Sequence, residues 1–127
     1  MASPQTNTLP AAPGVKRLHH YAFRCRDSEE TRIFYEDVLG MKLAIFLRLP
    51  HYEKPGDIPP FTHLFFEMGD GSYVAFFDLG DDQISKYCPD TYEWVNHLAL
   101  EVEDLAALED YKQRLEAADV DVKGRLT

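Results

Sequence analysis

The fold is indicated by two stretches of sequence that match: LHHYAFRCRD at residues 18–27 and VNHLALEVED at residues 95–104. At a constant offset of 77 residues, His20 aligns with His97, Ala22 with Ala99 and Asp27 with Asp104. Apolar residues alternate with other residues in both stretches, the period of two that is typical of a strand with one covered face. A helical pattern follows each stretch. We therefore interpret the chain as an internal duplication whose unit begins with a strand and a helix.

The pattern outside these stretches predicts the remaining elements of an α+β fold. In the first copy the strand at 18–26 leads to a helix that starts after the capping residue Asp27 and stops at Gly40. Strands are predicted at 41–49, 61–68 and 72–79, and the sequence GDG at 69–71 indicates a hairpin between the last two. The second copy is predicted to contain a strand at 92–102, a helix at 104–118 and the start of a strand at 120–122. The prediction is paired βαβββ modules that form a half-open, cup-shaped sheet, with the second module truncated.

Composition bounds the domain organisation and the classes of partner. The chain has 127 residues and a formal charge of −9, which disfavours nucleic acid, and it has no apolar run of membrane-spanning length. Residues 1–14 are predicted to be a flexible tail and 15–127 one domain, in which module one spans 15–80, a linker 81–91 and a partial module two 92–127. Two cysteines without a Cys-x-x-Cys pair favour the cytoplasm. The incomplete second module predicts either a chain that continues past Thr127 or a partner chain that covers the sheet edge in a homodimer.

The alternation also assigns side chains to faces of the predicted sheet. Tyr21, Phe23 and Cys25 are expected to face the helix, and His19 is expected to share that side in a structural role. His20 has the opposite parity, as has its counterpart His97, so both should point to the concave face. A pseudo-twofold relation between the copies would bring the two imidazoles together. We therefore predict a site for a divalent metal ion there.

Three motifs then identify a family resemblance: HYAFRCRD at 20–27, FYEDVLG at 34–40 and GSYVAFF at 71–77. Over residues 15–127 the chain resembles the vicinal oxygen chelate superfamily, which includes glyoxalase I, extradiol dioxygenases, and fosfomycin- and bleomycin-resistance proteins. The resemblance implies a metal at the base of the cup, with His20 and His97 as ligands. The ligand position on the fourth strand of module one is occupied by Ala75, which cannot bind metal, and the carboxylate of module two would lie beyond Thr127.

Two histidines with one carboxylate resemble the extradiol dioxygenases more than glyoxalase I, which generally has four protein ligands. The first hypothesis is therefore an enzyme that acts on a small aromatic vicinal diol, with Fe(II) preferred and Zn, Mn or Ni as other metals. Alternatives are a glyoxalase-like isomerase or thiol transferase, or a metal-free protein that binds a small molecule or drug. His51 and His63 are candidate acid–base residues, Tyr73 and Phe77 are candidate pocket residues, and Glu67 is expected to be a solvated edge charge.

Overall fold

A four-stranded mixed sheet with one helical segment packed against it forms the core of the protein. The computed structural model describes residues 9–49, 60–81, 91–92 and 94–124. Its elements, in chain order, are β1 (His20–Cys25), α1 (Ser28–Arg32), a π-helical segment (Ile33–Val38), β2 (Lys42–Leu49), β3 (Phe61–Glu67), β4 (Tyr73–Asp78) and α2 (Leu105–Ala117). The strand order is β1-β4-β3-β2, with β1 parallel to β4 and the other pairs antiparallel. The α+β class and the βαβββ order of module one are thus confirmed.

The first helix, which consists of α1 and the π-helical segment, begins and ends where the sequence predicts, for identifiable local reasons. The Asp27 carboxylate accepts a hydrogen bond from the Glu30 backbone N–H at 2.8 Å, so it satisfies one of the free donors of the first turn. At the other end Gly40 has a φ of 77°, the left-handed conformation that a side chain disfavours. The second part of this helix, Ile33–Val38, is π-helical rather than α-helical, a difference that the spacing of apolar residues did not indicate.

One face of the sheet packs against this helix and forms the apolar core. The buried members of the core come from β1, β3 and β4: Cys25, Leu64, Phe66, Val74 and Phe76. Tyr35 of the π-helical segment covers them, with its ring centroid 4.7 Å from that of Phe76 and 5.4 Å from that of Phe66. Full burial of an aromatic or branched aliphatic side chain stabilises a fold by about 1.5–3 kcal/mol. The helix-facing prediction for Phe23 and Cys25 is confirmed, since both join this core.

The second copy of the repeat differs from its prediction. Helix α2 forms, and the Asp104 carboxylate caps it by accepting from the Ala107 N–H at 2.9 Å. The predicted strand at 92–102 is wrong, because its described residues form turns and irregular chain, and so is the predicted strand start at 120–122. A strand needs a hydrogen-bonded neighbour as well as alternation, and within the described ranges no strand pairs with 94–102. Leu98 and Leu100 consequently remain 38% and 42% exposed.

Helix α2 is attached to the end of the first helix by side-chain hydrogen bonds to carbonyl oxygens. The Tyr111 hydroxyl donates to the Leu39 carbonyl at 2.6 Å, and the Arg114 guanidinium donates to the carbonyls of Val38 and Asp37 at 2.8 and 3.0 Å. The last carbonyls of a helix lack partners within that helix. Side chains of α2 therefore donate hydrogen bonds to carbonyl oxygens at the C-terminal end of the first helix, and these bonds join the two modules. Neither helix of the described chain has the length and apolarity required to cross a bilayer.

Candidate functional site

The face of the sheet that points away from α1 carries a continuous group of rings. Strand register places His20 beside Tyr73 and His63 beside Phe77. Because alternate side chains of neighbouring strands point to the same face, residues of like parity from three strands line up there. We call this group the histidine–aromatic strip; its members are His20, Phe61, His63, Phe65, Tyr73 and Phe77. The predicted pocket residues Tyr73 and Phe77 both lie in it, although their role in binding stays a prediction.

His63 is the most enclosed polar side chain of the strip. It is only 9% exposed, its ring stacks on Phe77 at a centroid distance of 3.8 Å and 16° between planes, and the Phe65 centroid is 4.2 Å away. Its Nε2 atom is buried and has no hydrogen-bond partner in the part of the chain that the structure describes. Burial, and secondarily the nearby His20, lower the pKa of the His63 imidazole. The strip therefore holds an imidazole that favours the neutral form and has an unsatisfied nitrogen.

His20 lies at the exposed end of the same strip. Its ring centroid is 6.4 Å from that of His63 and 5.1 Å from that of Phe65, and its Nδ1 is 2.8 Å from the Nδ1 of His19. One of these two nitrogens must donate and the other accept, so the contact couples the tautomers of both imidazoles.

His19 does not take the helix-facing position that alternation predicts. Its ring lies against His20 and is 5.5 Å from the ring of Tyr73, on the side of the strip. The prediction is wrong because β1 begins at His20, so residue 19 precedes the pleated part of the chain. The only sequence signal for this extra imidazole was its adjacency to His20.

His97 makes local contacts within the second copy of the repeat. Its Nδ1 is 3.2 Å from the carbonyl oxygens of both Trp94 and Val95. A proton on Nδ1 would satisfy these carbonyls and leave Nε2 free, the arrangement that metal-ligating histidines commonly show. No ring contact or hydrogen bond joins His97 to His20 within the described ranges, so their convergence on one ion stays a prediction.

The described residues of a single chain do not supply a complete set of metal ligands. Ala75 is fully buried and lies between Ala22 and Phe65 in the sheet. In residues 9–49, 60–81 and 91–124, residue 93 apart, no group of three or more His, Cys, Asp and Glu side chains is placed to hold a metal ion. His51, the other candidate acid–base residue, lies outside the described residues.

Comparison with known proteins addresses the family directly. The solved structures similar to this chain include a lactoylglutathione lyase from Agrobacterium tumefaciens, with a TM-score of 0.49 and 20% sequence identity over 89% of this chain and 77% of that chain. No curated protein matches the sequence. The family model described as Glyoxalase/Bleomycin resistance protein/Dioxygenase superfamily matches residues 17–127. That match confirms the resemblance found in the three sequence motifs, and the chain belongs to the Glyoxalase/Bleomycin resistance protein/Dioxygenase superfamily.

Proposed function

We propose that the histidine–aromatic strip binds a small aromatic vicinal diol, and that the protein acts on it as an enzyme of the extradiol dioxygenase type. The observation that carries this proposal is the buried Nε2 of His63, which lies between two phenylalanine rings and has no hydrogen-bond partner among the described residues. An unsatisfied buried nitrogen is costly unless a ligand supplies its hydrogen bond. A phenolic hydroxyl is a suitable partner, since it can both donate and accept.

The rings around His63 suit the aromatic part of such a ligand. Phe65 and Phe77 are apolar, and aromatic rings attract one another in offset or edge-to-face geometries worth about 0.5–1.5 kcal/mol a pair beyond their burial. A bound diol would exclude water from the strip and direct one hydroxyl to His63. Because its pKa is lowered, His63 is neutral near pH 7, and in the tautomer with its proton on Nδ1 it can accept that hydroxyl's proton at Nε2.

A metal ion is a separate part of the proposal, because the described residues of one chain do not provide enough ligands for it. Two imidazoles and one carboxylate form the ligand set that suits Fe(II) with open positions, with Zn, Mn and Ni as the other metals considered. His20 and His97 are the proposed imidazole ligands, and the carboxylate would have to come from outside the described ranges. We derive no catalytic step through the ion.

A homodimer is the arrangement that we propose for bringing these histidines together. Within the described ranges the outer edge of β1 has no paired strand, and the segment 94–102 alternates like a strand without being one. Pairing of β1 with residues 94–102 of a second copy would provide hydrogen-bond partners for the backbone of both segments. It would also bring His97 of one copy towards His20 of the other. The proposed location is the cytoplasm, for the cysteine usage given above.

Catechol binding tests the function, and resorcinol, whose hydroxyls are not vicinal, is the matched control. We expect saturable binding of catechol, at least tenfold weaker binding of resorcinol, and catechol-dependent oxygen uptake after Fe(II) is added anaerobically. Mixing His20→Ala with His97→Ala protein should restore part of the uptake if the two ligands come from different copies. The absence of both catechol binding and oxygen uptake would overturn the proposal.

The same assays separate the alternative functions. Glutathione-dependent turnover of a 2-oxoaldehyde without oxygen uptake would favour the glyoxalase-like enzyme. Catechol affinity that is unchanged in the His20→Ala/His97→Ala double variant, together with no turnover, would favour a metal-free binding protein.

A further inference from the structure

The two imidazoles at the start of β1 lie close enough to bind one metal ion. The Nδ1 atoms of His19 and His20 are 2.8 Å apart, and the rings meet edge to face with centroids 5.0 Å apart. Two nitrogen ligands at about 2.1 Å from an ion are about 3.0 Å apart when they are neighbours in an octahedral shell, and about 3.4 Å apart in a tetrahedral one. The observed separation is close to the octahedral value, so a small rotation of the rings would admit an ion.

The sheet holds both residues of this pair in place. The Tyr73 backbone N–H donates to the His19 carbonyl at 2.9 Å, so residue 19 is attached to β4 although β1 begins one residue later. The His19 ring lies 5.5 Å from the ring of Tyr73, and the His20 ring lies 5.1 Å from that of Phe65. Ligands on rigid elements need little rearrangement to bind an ion. The pair is therefore positioned before any ion binds.

The contact between the two Nδ1 atoms depends on a cation, either a proton or a metal ion. A neutral imidazole has one protonated nitrogen and one acceptor nitrogen, so one Nδ1 must carry a proton for the two atoms to form a hydrogen bond. With both protons on Nε2, two lone pairs would face each other and repel. A metal ion between the Nδ1 atoms would remove this repulsion, and both residues are exposed, so an ion can reach them from solvent.

We propose that His19 is a metal ligand together with His20, so that module one supplies two imidazoles to one ion. This inference rests on the proposed function, because it concerns the ion to which His20 is assigned there. His19 would take the third ligand position, beside His20 and His97, for which the proposed set requires a carboxylate from outside the described residues. It would also offset the fully buried Ala75, which cannot bind metal. The structural role predicted for His19 is thereby extended.

Zinc binding to the metal-free full chain tests the proposal without any turnover. In NMR spectra of protein labelled with ¹⁵N at histidine, Zn(II) should shift the Nδ1 signals of His19 and His20 together, with one apparent Kd, and leave the proton on Nε2 in both rings. Calorimetry should show at least tenfold weaker zinc binding in His19→Phe, which keeps a ring beside Tyr73 and lacks the nitrogens. His20→Ala should show a loss of similar size.

The matched control is Tyr21→Phe, which removes a polar group from the exposed residue that follows the pair. Its zinc affinity should stay within about twofold of wild type. Equal zinc affinity in His19→Phe and wild type, an equal loss in Tyr21→Phe, a shift of His20 without one of His19, or no zinc binding by the wild type would overturn the proposal.

Failure of this proposal can be distinguished from failure of the proposed function. Catechol affinity is measured on metal-free protein, so it reports on the histidine–aromatic strip alone. Zinc shifts of both His19 and His20 without any catechol binding or oxygen uptake would support the metal-binding pair and overturn the function. Catechol binding and oxygen uptake, with zinc shifts confined to His20 and His97, would support the function and overturn the role of His19.

Discussion

Replacing His63 with phenylalanine should make the protein more stable and its strip less able to bind ligand. The substitution keeps a ring between Phe65 and Phe77 and removes the Nε2 atom, for which the described part of the chain offers no hydrogen-bond partner. An unsatisfied buried polar group costs about 1–3 kcal/mol, and overpacking by the larger phenylalanine ring costs about 1 kcal/mol, the lower end of the usual range, because the ring shape is kept. We therefore expect the free energy of unfolding to rise by about 1 kcal/mol and the Tm by about 4 °C.

Urea denaturation at pH 7 measures this gain, and an unchanged m-value would show that the unfolded state is not altered. His19→Phe is the control, because His19 is exposed and the change should stay within about 0.5 kcal/mol. Affinity for catechol should fall at least tenfold in His63→Phe and remain close to wild type in the control. Destabilisation of His63→Phe by more than 1 kcal/mol would refute the reasoning, since it would mean that Nε2 is already satisfied in the folded protein.

The stability difference between wild type and His63→Phe should also depend on pH. Burial and His20 lower the folded-state pKa of His63 below its ordinary value of 6.5. Between that lowered pKa and 6.5 the unfolded chain binds more protons than the folded one, so wild-type stability falls as pH decreases through this window. The variant lacks this group. Its advantage should be constant above pH 6.5 and increase below it, and a pH-independent difference would contradict the assigned pKa direction.

Three further predictions concern the scaffold. Asp78→Ala should lower the free energy of unfolding by about 2 kcal/mol at pH 7, because the carboxylate accepts hydrogen bonds from the N–H and hydroxyl of Ser28 and from the N–H of Gly80. Burial alone raises the pKa of Asp78, but these hydrogen bonds outweigh it and lower the pKa. The loss measured by urea denaturation should therefore shrink below pH 3.8, and an equal loss at pH 7 and pH 3 would count against this explanation. Tyr111→Phe removes the hydrogen bond to the Leu39 carbonyl and should cost about 1 kcal/mol, with faster amide hydrogen exchange in α2 than in wild type; unchanged exchange would show that α2 is held by other contacts. Burial raises the pKa of the Cys25 thiol, so in a Cys88→Ser background iodoacetamide should label Cys25 only after urea unfolding, whereas rapid labelling of the native protein would contradict its burial.

Local chemistry accounts for the elements that could be predicted from the sequence. Asp27 and Asp104 both act as N-caps, and caps depend only on residues within one turn of the helix. Strand β1 alternates because one of its faces packs on a helix, so the period of two was a sufficient signal for it. Strands β3 and β4 are buried along most of their length, and the GDG turn between them was the local signal. The family model matches residues 17–127, the range that contains the three motifs.

The segment 94–102 could not be predicted in this way, because its alternation says nothing about whether a neighbouring strand is present. Its sequence is as strand-like as that of β1, yet only β1 has a neighbour, β4, among the described residues. Strand formation is a tertiary property here, and the repeat alone over-predicted it.

The environment of His63 also could not be predicted from the sequence. Sequence patterning marked it as a candidate acid–base residue, but its stacking on Phe77 depends on the register of β3 against β4. Burial of Nε2 without a partner is likewise a result of packing between strands distant in sequence.

An NMR titration of the full chain, labelled with ¹⁵N at histidine, tests most directly whether an aromatic diol forms a hydrogen bond with Nε2 of His63. Addition of catechol should shift the Nε2 signal of His63 in a saturable way and give intermolecular NOEs to the rings of Phe65 and Phe77. Saturable shifts confined to other histidines, or no shift at concentrations where binding is detected by calorimetry, would contradict the proposed site.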